Sequence, residues 1–244
     1  MTSIFLVTYS LASYLFFLGT FLWFIGFVGG LPLPVTVDVG PDAPVVQAFA
    51  IDIALIALFG VQHSVMARAS FKRMWTRVVP PSIERSTYVL ASTLAMGLII
   101  WQWRPMPQAV VWDLSGAGAL AMQCLFWIGW GVMLTSSFLI NHFELFGMSQ
   151  VCSSVLGMRP AEPAFRTPLF YKYVRHPLYV GVLAGMWAAP RMTVGHFLLA
   201  AGFTAYILIG ISFEERDLLA QFGSRYAEYR RRVGMLLPWR RRSA

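Results

Sequence analysis

Long runs of apolar residues constrain this chain more than any other feature of its sequence. A helix needs about 20 mostly apolar residues to cross the hydrocarbon of a bilayer. Four runs meet this requirement: 4–28, 45–66, 87–103 and 117–140. A short apolar stretch at 178–189 stops at Pro190, and a longer run covers 196–213. The sequence therefore predicts an all-α, polytopic transmembrane helical bundle, with five long spans and a short helix that forms a C-terminal hairpin.

The composition supports a membrane protein. Of the 244 residues, 57% are hydrophobic and 12% are charged, whereas about a quarter of the residues in soluble domains are charged. The first run has no basic segment before it and no convincing cleavage site, so we expect a retained helix. No repeat or linker divides the chain. We expect one domain over 1–244, with an N-terminal four-helix part at 4–140 and a C-terminal part at 141–244.

Lys and Arg are distributed very unevenly among the loops. Five lie in 68–85, four in 159–175 and eight from Arg216 onward, which makes 17 of 19 on one side, with only Arg104 and Arg191 opposite. Positive residues mark the cytoplasmic side. We therefore expect both termini and the functional face to be cytoplasmic, with the chain in a bacterial inner membrane. The net charge of +8 is then explained by this asymmetry and by anionic lipid headgroups, and not by nucleic acid.

The heptapeptide RHPLYVG places polar residues where the short apolar helix begins. Proline fits the first helical turn, so Pro177 puts Arg175 and His176 just before the helix, with Tyr179 and Gly181 in its first turns. Backbone donors at a helix start favour a carboxylate or phosphate, and glycine permits close approach of a ligand. The alternative is simple anchoring of Arg and Tyr at the membrane interface.

The sequence ISFEERDLL ends the last apolar run with two carboxylates. Glu214 and Glu215 are costly near a bilayer unless they are paired or functional. Because a hairpin brings its two cytoplasmic ends together, Arg175, His176 and Tyr179 should meet one of them. Such a cluster could hold a cationic ligand. The alternative is a salt bridge that only closes the hairpin.

The segment after these carboxylates has an amphipathic helical pattern. Apolar side chains recur at 218, 219, 222, 226 and 229, and Gly223 interrupts the pattern. Such a helix is suited to lie on a membrane surface. We expect Arg240, Arg241 and Arg242 to contact lipid headgroups.

Together, RHPLYVG and the later EERDLLAQFGSRYAEYRRRV with its following proline resemble the C-terminal signature of the isoprenylcysteine carboxyl methyltransferase superfamily of membrane methyltransferases. The resemblance implies a pocket for S-adenosylmethionine at the cytosolic face. It also implies that the cofactor is bound by the matching residues, which are His176, Pro177, Tyr179, Gly181, Glu214, Glu215, Tyr226 and Tyr229. We add Arg175 from its position beside them.

The remaining motifs resemble one branch of that superfamily. QHSVMARASFKRMWTRVVPPSIERSTYVL, WQWRPM and NHFELFG are similar to the bacterial methanethiol S-methyltransferases, which convert methanethiol to dimethyl sulfide. The resemblance covers most of 5–240. It implies a small volatile thiol as substrate. Membrane proteins linked to nitrogen-oxide metabolism share parts of the pattern, so an accessory role there is an alternative.

Methyl transfer from a sulfonium to a thiolate requires a deprotonated thiol and two aligned sulfur atoms. NHFELFG stands where the fourth long span ends on the cytoplasmic side, so we predict His142 as the general base, because its imidazole titrates near neutrality. Asn141 would orient the base or the substrate. Tyr179 is a second candidate, which would hold the thiol or polarise the methyl group. A histidine that only hydrogen-bonds between helices is the alternative.

Other polar residues receive smaller roles. We place His63 and Glu144 in the substrate pocket, and we expect Asp52 to be solvated near the external end. Asp52 and His63 are 11 residues apart, or about 16 Å along a helix. The basic segment 68–88 is predicted to be an interfacial helix, whose Glu84 or Arg85 could border the site. The two cysteines, Cys124 and Cys152, suggest neither a disulfide nor a metal site.

Several alternatives remain open from the sequence. The acceptor could be a prenylcysteine carboxylate or a lipid amine. A sterol reductase using a nicotinamide cofactor has a similar C-terminal ending. A non-enzymatic membrane protein could bind haem through some of the four histidines, which are His63, His142, His176 and His196. We infer no metal and no obligate protein partner.

Overall fold

The computed structural model describes residues 3–158 and 165–238. Arg240, Arg241 and Arg242, predicted to contact headgroups, lie outside the described residues. The elements in chain order are α1 Ser3–Val28, α2 Val45–Ala67, α3 Ala69–Trp75, α4 Pro81–Gln102, β1 Val110–Asp113, α5 Gly116–Ile140, α6 His142–Leu145, α7 Met148–Val155, a 3-10 turn Leu169–Lys172, α8 Pro177–Trp187, β2 Arg191–Thr193, α9 Val194–Phe222 and α10 Ser224–Arg232.

Among the described residues, five helices are long and apolar enough to cross a membrane, namely α1, α2, α4, α5 and α9. The predicted helical membrane bundle is therefore confirmed, together with the short apolar helix α8. Two boundaries differ from the prediction by more than two residues. Helix α4 begins at Pro81 rather than at 87, because proline is favourable in a first turn and Glu84 complements the positive end of the helix dipole there.

Helix α9 is the larger correction. It does not end at 213 but continues through both carboxylates to Phe222, which makes it 29 residues long, or about 44 Å. No proline or glycine interrupts the stretch that follows 213, and the helix stops only where Gly223 adopts a φ of +55°. Glutamate is a good helix former, so the carboxylates do not end the helix.

Two short antiparallel strands were not predicted. Strand β1 pairs with β2 in the register Trp112 with Met192 and Asp113 with Arg191. Thr193 then donates a hydrogen bond to Asp38. Arg191 therefore belongs to a small sheet and does more than end an apolar run.

The described fold divides into two compact units that alternate along the chain. Unit 1 contains Met1–Asp113, His142–Ala161 and Arg191–Gly202, and unit 2 contains Leu114–Asn141, Glu162–Pro190 and Phe203–Ala244. The prediction of one domain with parts that meet after residue 140 stays a prediction.

In unit 1, α4 packs against α1 and α2. A buried hydrogen bond of 2.8 Å joins Ser86 Oγ to Ser10 Oγ. Asp52 is fully buried and accepts a hydrogen bond of 2.9 Å from the backbone N–H of Arg104. The expectation that Asp52 is solvated is therefore wrong. The Asp52 carboxylate instead accepts a hydrogen bond from the backbone of a residue just after α4.

In unit 2, α8 packs closely against α5. The close approach depends on glycines, because a methyl group built on Gly181 would lie 2.5 Å from both the Gly129 carbonyl oxygen and the Met133 nitrogen. One built on Gly185 would meet the Trp130 indole at 2.6 Å. Small residues at such positions let two membrane helices come into backbone contact.

Candidate functional site

Glu215 is the centre of an ionic cluster in unit 2. Its carboxylate accepts hydrogen bonds from Arg175 Nε at 2.7 Å and His176 Nε2 at 3.2 Å. Arg230 Nε lies 3.3 Å from its other oxygen. Glu215 is buried, and a buried carboxylate needs such partners to offset the loss of hydration. The predicted meeting of the start of α8 with one of the two carboxylates of α9 is therefore present in the structure.

Glu214 has a different environment from its neighbour. Its side chain is 42% exposed and accepts a hydrogen bond of 3.0 Å from the Tyr179 hydroxyl. His176 Nδ1 lies 3.8 Å from the same carboxylate. Adjacent helical residues point in different directions, so Glu215 faces the cations while Glu214 keeps an accessible side. The two carboxylates can therefore perform separate tasks.

The start of α8 is bound to the end of the described chain. The backbone N–H of Arg175 donates to the Gly234 carbonyl at 2.9 Å, and that of His176 donates to Met235 at 3.2 Å. Both N–H groups precede α8 and are occupied within the chain, and binding of an anion by the backbone donors of the first turn of α8 stays a prediction. The two N–H groups hold the segment after α10 against the start of α8.

Pro177 and Gly181 occupy different positions in α8. Pro177 begins the helix and is buried, as expected for a proline in a first turn. Gly181 was expected to admit a ligand, but its Cα faces the α5 backbone, where no methyl group fits. The small size of Gly181 is therefore explained by helix packing, and we do not place it against a cofactor.

Two tyrosines of α10 lie beside this cluster. Tyr226 is buried, and its hydroxyl has no hydrogen-bond partner among the described residues. The Tyr229 hydroxyl donates to the Tyr171 carbonyl, and the Phe165 ring packs against both tyrosines. Burial raises the pKa of Tyr226 well above its usual range and that of Tyr229 to about 12. Both phenols are neutral near pH 7 and act as hydrogen-bonding groups.

A cavity of about 860 Å³ lies between α8 and the segment after α10. This volume is within the range of about 300–1,000 Å³ that is usual for small-molecule sites. Most of its lining is apolar, with two cations; the lining residues are Arg175, Val180, Leu183, Ala184, Arg230, Val233, Gly234, Met235, Leu236 and Leu237. The cavity therefore suits a ligand that combines an apolar or aromatic part with an anionic group.

His142 belongs to unit 1 and begins α6. Its Nε2 lies 2.9 Å from the Tyr14 hydroxyl, and the rings of Phe143 and Phe146 pack against its imidazole. His142 is buried, and this burial lowers the pKa of its imidazole. A hydrogen bond of 2.7 Å from Arg85 Nε to the Leu145 carbonyl holds the same segment.

The other predicted pocket residues lie on three different elements. Asn141 ends α5 in unit 2, is exposed and has a φ of +138°. Glu144 is exposed on α6. His63 lies in unit 1, where its Nδ1 is 3.1 Å from Ser92 Oγ and its ring stacks on Phe59. These contacts explain His63 as a histidine that forms a hydrogen bond between helices.

Two residues of these sites were missed from the sequence. Arg230 lies four positions after Tyr226, on the same face of α10, so helical spacing could have indicated it. Tyr14 is 128 residues from His142, and no local pattern connects them. The four-residue spacing of Gly181 and Gly185 could also have indicated the α5 contact.

Comparisons with known proteins identify the family and the relatives of this chain. The sequence profile of a family described as NnrU protein matches residues 52–237. A methanethiol S-methyltransferase of Mycobacterium tuberculosis (strain ATCC 25618 / H37Rv) is 54% identical over 234 residues, covering 96% of each chain. The methanethiol S-methyltransferase of Pseudomonas deceptionensis is 52% identical over 235 residues, covering 96% of this chain and 90% of its own. Nurim of Mus musculus is 30% identical over 236 residues, covering 87% of this chain and 89% of its own. No solved structure matches significantly.

Proposed function

The chain belongs to the NnrU protein family, and on that premise we propose that it is a membrane enzyme that methylates methanethiol to dimethyl sulfide with S-adenosylmethionine. Relatives that are 54% and 52% identical over nearly the whole chain bear the name methanethiol S-methyltransferase. The structural observation that supports the assignment is that two adjacent carboxylates have different environments. Glu215 is paired with cations, and Glu214 stays accessible beside Tyr179.

The residues of unit 2 fit the chemical groups of this cofactor. S-adenosylmethionine carries a sulfonium and an ammonium cation, a carboxylate, a ribose and an adenine ring. Glu214 can offset positive charge, Arg230 can pair with the carboxylate, and the buried Tyr226 hydroxyl can bond a polar group such as a ribose hydroxyl. The apolar part of the 860 Å³ cavity can accept the adenine ring.

The remaining residues of the cluster position these groups. Glu215 holds Arg175 and His176 in place, and Tyr179 fixes the orientation of Glu214. Pro177 starts the helix that presents them, and Tyr229 ties α10 to the turn that precedes α8. Such positioning residues contribute because small displacements of reacting groups lower the rate strongly.

His142 is the proposed acceptor of the thiol proton, with Asn141 in an orienting role. When bound, S-adenosylmethionine supplies the methyl group and leaves as a neutral thioether. His142 would take the proton of the thiol and leave a thiolate that accepts this methyl group. The buried aromatic surroundings of His142 keep its imidazole neutral and able to accept a proton.

The location follows from the charge asymmetry. Of the 19 Lys and Arg residues, 17 are assigned to one side, which favours a bacterial inner membrane with both termini and the site at the cytoplasmic face. A cytoplasmic site receives the charged cofactor from solution. The small apolar thiol can reach the enzyme through the lipid.

Headspace analysis tests the proposal. Purified protein in lipid nanodiscs is given S-adenosylmethionine with methanethiol, a prenylcysteine or a phosphatidylethanolamine, and volatile and non-volatile methylated products are measured. We expect dimethyl sulfide only with methanethiol. Glu214→Gln should lower the yield at least tenfold, whereas the matched control Glu228→Gln, at an exposed residue of α10, should retain it. Methylation of another acceptor, or no methylation at all, would refute the assignment.

A further inference from the structure

We infer that Tyr14 is a positioning residue for His142, which sets the basicity of the imidazole during catalysis. This inference rests on the proposed role of His142 as the proton acceptor. Tyr14 lies near the middle of α1, and its hydroxyl is 2.9 Å from His142 Nε2. The hydrogen bond therefore joins a spanning helix to the short helix that carries the base.

The aromatic contacts fix the orientation of the two rings. The Tyr14 and His142 rings meet edge to face, with centroids 5.8 Å apart and planes at 89°. Phe146 lies 5.9 Å from the Tyr14 centroid and 4.7 Å from that of His142. His142 is only 6% exposed. A charge on this imidazole is therefore poorly hydrated and depends on hydrogen bonds from the protein.

A phenol hydroxyl suits this task because it can either donate or accept a hydrogen bond. With neutral His142, the Tyr14 hydroxyl can take either role. Once His142 gains the thiol proton, both ring nitrogens carry hydrogen, so Nε2–H donates to the Tyr14 oxygen. Tyr14 keeps its own proton throughout. Its contribution is to favour the imidazolium that the reaction forms, because hydrogen bonds to charged groups are the stronger ones.

Other ionisable groups lie on the elements that surround His142. The pKa of His142 is lowered by its burial. Arg85 donates to a backbone carbonyl of α6 through its Nε. The ionisable residues on α6 and on the packed elements α1, α4 and α7 are Tyr9, Tyr14, Glu84, Arg85, Tyr88, Glu144 and Cys152. Of these, Tyr14 has the described hydrogen bond to the imidazole.

Tyr14→Phe in the full-length protein tests the inference, because it removes the hydroxyl and keeps the ring. We expect kcat for methanethiol to fall about tenfold, with the Kd for S-adenosylhomocysteine unchanged. The acid limb of the pH–rate profile should move to lower pH, because the imidazolium loses its acceptor. The control is Tyr9→Phe on the same helix, whose hydroxyl lies 3.0 Å from Thr87 Oγ1 and whose loss should leave the limb unchanged.

A titration gives a readout that does not depend on activity. In ¹⁵N-histidine-labelled protein, with the His142 signals assigned by comparison with His142→Gln, Tyr14→Phe should lower the pKa of the imidazole relative to the parent and to Tyr9→Phe. An unchanged titration, or an unchanged kcat and acid limb, would overturn the role of Tyr14. Formation of dimethyl sulfide by the parent would still uphold the proposed function in that case. Absence of product from the parent would instead refute the proposed function.

Discussion

The cluster around Glu215 in unit 2 and the surroundings of His142 in unit 1 are built from opposite kinds of residue. Glu215 is buried beside the cations of Arg175 and Arg230 and the imidazole of His176. His142 is buried among aromatic rings and meets the neutral hydroxyl of Tyr14. The first arrangement fixes charges in place, and the second keeps a titratable group neutral. The difference matches the proposed division between holding an ionic cofactor and transferring a proton.

The same difference sets the size of mutational effects. A buried ion pair that loses one partner leaves uncompensated charge, which costs about 3–5 kcal/mol of stability. Losing a neutral hydrogen bond costs about 0.5–1.5 kcal/mol. Substitutions at the ionic cluster should therefore damage folding as well as function, whereas substitutions near His142 should act mainly on rate and pH dependence.

The largest effect is expected for Glu215→Gln. The amide keeps the size of the side chain but leaves the nearby arginines without their buried counter-charge, so we expect the thermal unfolding temperature to fall and binding of S-adenosylhomocysteine to be lost. Calorimetry in nanodiscs and equilibrium binding measure the two effects. Glu228→Gln removes an exposed partner of Arg232 and should change neither, because exposed pairs contribute little. Normal binding by Glu215→Gln would contradict the structural role of the cluster.

The packing beneath this cluster gives the second prediction. In Gly181→Ala, the added methyl group would approach the backbone of Gly129 and Met133 to 2.5 Å, and overpacking costs about 1–3 kcal/mol. We expect a lower unfolding temperature and weaker cofactor binding. Gly131→Ala on α5 has open space around its added methyl group and should be neutral or slightly stabilising. Equal stability of the two variants would argue against glycine-dependent contact of α5 and α8.

Much of the fold and part of the candidate site could be predicted because they depend on local signals. Apolar runs define the long helices, and the antiparallel path of α8 and the later part of α9 brings Arg175 close to Glu215. Other features depend on contacts that a sequence does not display. The strand pairing of 110–113 with 191–193, the packing of Gly181 and the distant Tyr14 all require knowledge of which surfaces meet.

A smaller effect is expected when Glu214 alone loses a hydrogen-bond partner. Tyr179→Phe removes the 3.0 Å hydrogen bond to Glu214 but leaves the Glu215 cluster intact. We expect the Kd for S-adenosylhomocysteine to rise about three- to tenfold, in line with one hydrogen bond, with little change in unfolding temperature. Tyr173→Phe, at an exposed tyrosine, is the control. A loss of stability like that of Glu215→Gln would show that the two carboxylates act as one unit.

The smallest effect is the pH dependence of stability from His142, and its sign can be derived. An unfolded histidine takes up a proton near pH 6.5, whereas burial lowers the pKa of His142 in the folded protein. Below pH 6.5 the unfolded chain therefore binds more protons, and the free energy of unfolding falls until the pH passes the lowered folded pKa. Catalysis should follow the same folded pKa, because only the neutral imidazole accepts a proton, so the parent should remain active somewhat below pH 6.5. Comparing unfolding temperatures of the parent and His142→Gln between pH 5 and 8 isolates this contribution. A parent acid limb above pH 6.5 would contradict a buried, neutral base and place the titrating group elsewhere.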